Sequence, residues 1–66
     1  MASVKQIDYI DKLMEKADQA GLLEEVLREI NPDLGEDEDF MVWIAKQPVR
    51  RASEAIDILK EWLNKI

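Results

Sequence analysis

Sixty-six residues with no cysteine and no histidine make one small domain, without disulfides, thiolate metal sites or an imidazole base. Fifteen acidic against nine basic side chains give a net charge of −6, which repels nucleic acid as a whole, because duplex binding draws on cationic neutralisation of phosphates. No stretch approaches the ~20 apolar residues that span a bilayer, and no signal-peptide pattern opens the chain, so a soluble, cytoplasmic protein without membrane contact is expected.

The first helix is predicted over residues 4–20. Val4, Ile7, Ile10, Leu13, Met14 and Ala17 recur in steps of three and four, the mark of an amphipathic helix with one buried stripe. Ser3 suits the N-cap, and Gln6 three residues on completes a capping-box pattern. On the polar face Asp8–Lys12 is an attractive i,i+4 pair and Asp11–Glu15 a repulsive one. Gly21 interrupts the pattern as the left-handed residue after a helix end.

The period resumes over 22–30 with Leu23, Val26, Leu27 and Ile30, and Pro32 closes this second helix by biasing Asn31 away from helical angles. A third segment, 39–46, is apolar almost throughout (Phe40 to Ala45). No partner strand exists for it, and the acids upstream favour a short helix. Pro48 stands in the first turn of a last helix, 48–65, where its missing amide is no loss. Its stripe is Val49, Ala52, Ile56, Leu59, Leu63 and, at the chain end, Ile66. The fold class is therefore all-α, a compact bundle of about four helices forming a single domain over 1–66.

The connection "NPDLGEDEDF" (31–40) holds five carboxylates in ten residues. A calcium loop needs oxygens at alternating positions around a central glycine, whereas Glu36 to Asp39 are contiguous and cannot converge on one ion. The crowding also differs from the spread of acids that would imitate a phosphate backbone. The simplest account is local: a turn at Asn31–Pro32–Asp33, a positive φ at Gly35, Leu34 folded inward, and Asp37 or Asp39 capping the third helix.

The polar residues form no catalytic set. Ser53 lies inside a helix without a histidine to activate it, its "RRAS" context is unable to extend into a kinase cleft from there, and Tyr9 reads as a half-buried packing residue. Paired carboxylates such as Asp8 and Asp11 suit acid–base work only in a cleft, and so small a domain has little room for one. A non-enzyme is expected, with no cofactor, metal or small-molecule substrate.

Two features suggest partners. Lys46, Arg50 and Arg51 gather three cations at the start of the last helix, where a phosphate or an acidic peptide would fit; a solvated face balancing nearby acids is the plainer alternative. Ala55, Ile58 and Trp62 form a second apolar row on that helix, which makes the helix central in the bundle or offers a row to a partner. Trp43 and Trp62 are then core, and an exposed edge of Trp62 would anchor a ligand.

"KQIDYIDKLMEKA" (5–17) together with "RRASEAIDILKEWL" (50–63) resembles a small helical module with a Q-x-x-Y-I-x-x-L start and an A-S-x-x-I-x-x-L-K end. That module lies near the C-termini of phage and bacterial DNA-metabolism proteins, among them single-strand annealing recombinases and exonuclease-like proteins. Gln6, Tyr9, Ile10, Leu13, Ala52, Ser53, Ile56, Leu59 and Lys60 carry the match, across both terminal helices and roughly half the chain. The middle departs from the module's short connection. The resemblance implies an accessory interaction domain, cut from or appended to a DNA-processing protein. Lys46, Arg50 and Arg51 would then contact DNA or an acidic partner tail, and Gln6 and Ser53 would serve helix starts and packing.

Three readings follow. In the first, a protein-interaction domain docks a partner on Ile58, Trp62 and the nearby cations. In the second, a weak nucleic-acid-binding module uses the Lys46/Arg50/Arg51 patch alone. The third is a structural or designed helical domain without a ligand. An exposed apolar row would favour the first, cations clear of carboxylates the second, and a buried row with paired cations the third.

Overall fold

The computed structural model describes residues 1–65. Four helices follow in order: α1 Val4–Gln19, α2 Leu23–Ile30, α3 Phe40–Ala45 and α4 Val49–Asn64, with no strand among the described residues. The bounds fall within a residue of those expected from periodicity; the place of Ile66 in the last stripe lies outside the described residues.

The punctuation explains why the helices stop where they do. Ser3 Oγ accepts from the Gln6 amide at 3.1 Å while Gln6 Oε1 accepts from the Ser3 amide at 3.0 Å, closing the capping box. At the other end of α1, Leu22 N–H donates to the Ala17 carbonyl at 2.9 Å and Gly21 N–H to the Asp18 carbonyl at 3.0 Å. That is a Schellman ending, and it needs the positive φ of 74° that Gly21 supplies. Asn31 is extended ahead of Pro32, as a residue before proline prefers.

α1 and α4 form the central pair, with α2 and α3 each packed on both. Gln6 meets Val49 and Ser53 near one end of this pair, and Leu13 and Lys16 share a surface with Lys60, Leu63 and Asn64 near the other. The two long helices therefore run in the same direction, and the segment between them returns the chain to its start. The core holds Ile10, Leu13, Ala17, Val26, Ile30, Phe40, Ile44, Ala52, Ala55 and Leu59. Ala2, ahead of the first helix, joins it unannounced by any periodicity.

Several expectations are corrected. Val4, placed on the buried stripe, is 83 % exposed, and Val49 is 54 % exposed. Both open their helices, where the stripe runs past the neighbours that would cover it. Pro48 precedes the last helix as its N-cap, with extended angles, instead of entering the first turn. Gly35 has no positive φ. A side chain there would instead bring its Cβ to 3.3 Å from Glu38 Oε1, the oxygen that accepts from the Gly35 amide. Asp8 and Lys12 do not pair: Arg51–Glu54 is the only ion pair among the described residues.

Candidate functional site

The five residues singled out for partner binding separate into three groups. Arg51 is the most heavily engaged. Its Nη2 donates to the Ile30 carbonyl at 2.6 Å, its Nη1 meets Glu54 Oε2 at 3.2 Å, and its guanidinium lies 5.7 Å from the centre of the Trp43 ring. The Ile30 carbonyl belongs to the last turn of α2, which lacks helical donors of its own. One side chain of α4 thus closes the end of α2 and stacks on α3. It is a clamp within the bundle, with little left to offer a ligand.

Ile58 and Trp62 are half-buried and packed against the core, continuing a row in which Ala55 is buried outright. Trp62 Nε1 donates to Glu29 on α2, and Lys65 Nζ lies 5.3 Å from its ring centre. The row is thus occupied by the fold, as a central last helix requires. The sequence held a signal for this: Arg51 stands four residues before Ala55, seven before Ile58 and eleven before Trp62. It heads the same helical row and faces the same neighbour.

Lys46 and Arg50 differ. Both are exposed, and among the described residues neither makes an ion pair or a side-chain hydrogen bond. Lys46 is the C-cap of α3, whose last turn is closed by Gln47 Nε2 donating to the Trp43 carbonyl at 3.2 Å. Arg50 lies in the first turn of α4. Val42, one helical turn before Lys46, and Val49, next to Arg50 in the chain, are 53 % and 54 % exposed. The apolar run Phe40–Ala45 gave no sign that Val42 would be exposed, because a six-residue helix has a face that its neighbours cannot cover.

Farther along the exposed side of α4 stand Glu54, Asp57 and Glu61, at spacings of three and four from one another. The cationic corner therefore borders a carboxylate face. Among the described residues no group of histidine, cysteine, aspartate or glutamate is placed to hold a metal ion. No described helix is long and apolar enough to cross a membrane.

The acidic connection resolves into turns. Asn31 Oδ1 accepts from the Asp33 amide at 3.1 Å, Leu34 N–H donates to the Asn31 carbonyl, and Leu34 packs on the core. Asp39 Oδ1 caps α3 through the Met41 amide at 2.9 Å. Only Glu38 and Asp39 use their carboxylates in this way; those of Asp33, Glu36 and Asp37 accept no hydrogen bond among the described residues. Helix and turn formation thus accounts for part of the acidity and leaves the rest.

No family model, curated protein or solved structure matches this chain.

Proposed function

We propose that this chain is a non-catalytic accessory domain that docks an acidic, partly apolar segment of a protein partner on the α3–α4 corner. The observation that carries the reading is the unpaired state of Lys46 and Arg50 beside two half-exposed valines. Unpaired cations next to apolar surface suit a ligand that brings carboxylates and aliphatic side chains together. The resemblance of the terminal helices to the module carried by phage and bacterial DNA-recombination proteins supports an accessory role in such a protein. Arg51 holds α3 beside the start of α4 through Trp43, while Ile58 and Trp62 pack farther along α4.

A weak nucleic-acid interaction through the same cations is the second reading. The carboxylates at Glu54, Asp57 and Glu61 oppose it, since a phosphate backbone leaving Arg50 along α4 would meet them. Amide chemical-shift mapping separates the two, using a short glutamate–leucine peptide and single-stranded DNA at low and physiological salt. Docking predicts shifts over residues 42–50 with the peptide, weakened in Lys46→Ala and Arg50→Ala, whose exposed positions leave folding intact. Salt-sensitive shifts at this corner with DNA alone would reverse the assignment, and silence with both probes would refute a binding role for it.

A further inference from the structure

On the other side of α2, between that helix and the acidic connection, lies an open groove of about 440 Å³. Leu27, Leu34 and Phe40 give it an apolar floor, and Glu24, Glu36 and Glu38 stand around it, with Arg28 as the one cation. The groove is preformed. The Asn31 turn and the reciprocal bonds of Gly35 N–H to Glu38 Oε1 and Glu38 N–H to the Gly35 carbonyl hold its wall. Leu27 and Leu34 are only half-buried, packed on the core while lining the opening. Glu24 and Glu36 neither pair with a cation nor accept a hydrogen bond among the described residues.

Crowding unpaired acids beside half-covered leucines costs a small domain stability without contributing to its packing. The arrangement has a use if the missing cations come from outside. We propose that this groove docks a basic protein segment, which places one large apolar side chain on Leu27, Leu34 and Phe40 and flanking lysines or arginines against Glu24, Glu36 and Glu38. Charge selects that occupant: three carboxylates against one guanidinium repel an acidic peptide, and a second copy of a chain of net charge −6 is disfavoured as well. The inference is independent of the α3–α4 corner, whose sign is opposite.

The test is a titration of the whole chain, followed by amide shifts, with a lysine-rich peptide carrying one central phenylalanine. A companion peptide has glycine in place of the phenylalanine. Expected are shifts clustered on Leu27, Leu34 and Phe40, and clearly weaker binding of the glycine peptide. The double variant Glu24→Lys/Glu36→Lys should weaken binding by about tenfold or more, while Asp57→Lys/Glu61→Lys, with the same change in net charge on the far face of α4, should change it by no more than about twofold. All four positions are exposed, so the variants keep the fold. Equal weakening by both doubles, or equal binding of the two peptides, would reduce the effect to general attraction and overturn the proposal. No binding would overturn it as well, and so would concentration-dependent shifts at the groove without peptide, which would assign it to a second copy.

Discussion

Replacing Arg51 by alanine removes three contacts at once, and their sizes can be weighed. The bond from Nη2 to the Ile30 carbonyl, 2.6 Å long and partly buried, has a charged donor; such bonds contribute ~1.5–3 kcal/mol. Stacking on Trp43 adds ~0.5–1 kcal/mol at a partly exposed site. The pair with Glu54 joins side chains that are 37 % and 51 % exposed, and adds at most a few tenths of a kcal/mol. Freeing the long side chain returns ~1–2 kcal/mol of rotamer entropy. The net loss is ~2 kcal/mol, which lowers the melting temperature of a domain this small by ~8–16 °C. Arg51→Lys keeps the charge but lacks the planar fork, so it should recover less than half of the loss. Arg50→Ala is the control, because Arg50 makes no such contact, and it should melt within ~2 °C of the parent. Thermal unfolding followed by circular dichroism reads all three. Equal midpoints for Arg51→Ala and Arg50→Ala would refute the clamp and restore Arg51 to the exposed patch.

Two further substitutions test the joints of the bundle. In Gln6→Glu the capping box survives, since a carboxylate still accepts from the Ser3 amide, but the donor that reaches the Val49 carbonyl and Ser53 Oγ, each at 3.1 Å, is gone. A loss of ~1–2 kcal/mol in urea denaturation is expected, and an unchanged midpoint would mean that these links between α1 and α4 contribute nothing. Gly21→Ala meets no atom within 4 Å of its new Cβ, so its whole cost is the left-handed φ of 74°, ~1–2 kcal/mol. Gly21→Asn should fall between glycine and alanine, and parity of alanine with glycine would contradict the Schellman ending.

The helices were legible because their boundaries are written in residues with strong local effects. Ser3 and Gln6, Gly21, Pro32 and Asp39 each act through a bond or a dihedral within a few positions, and the structure shows all five acting as expected. Local reasoning failed where the outcome depends on which neighbour arrives. Val4 and Val49 carry the right period but lie beyond the end of any covering helix. Gly35 was read through its backbone freedom, whereas its role is to leave space for the Glu38 carboxylate. The parallel course of α1 and α4 had no local cause either, being set by how α2, α3 and their loops bring the chain back.

The same division runs through the cationic cluster. Charge and sequence proximity grouped Lys46, Arg50 and Arg51, but a helix turns about 100° per residue, so adjacent arginines on α4 face different surroundings. Arg51 points with Ala55, Ile58 and Trp62 toward α2, finds the unsatisfied carbonyl of Ile30 and becomes part of the bundle. Arg50 points with Glu54 and Asp57 toward solvent and stays unpaired. Burial of the apolar row and retention of Arg51 are thus one event, the docking of α2 on α4. That event leaves Lys46 and Arg50, with Val42 and Val49, as the part of the cationic cluster that the fold has not already used. It also exposes the opposite side of α2, with its leucines and unneutralised glutamates, as a surface of the other sign.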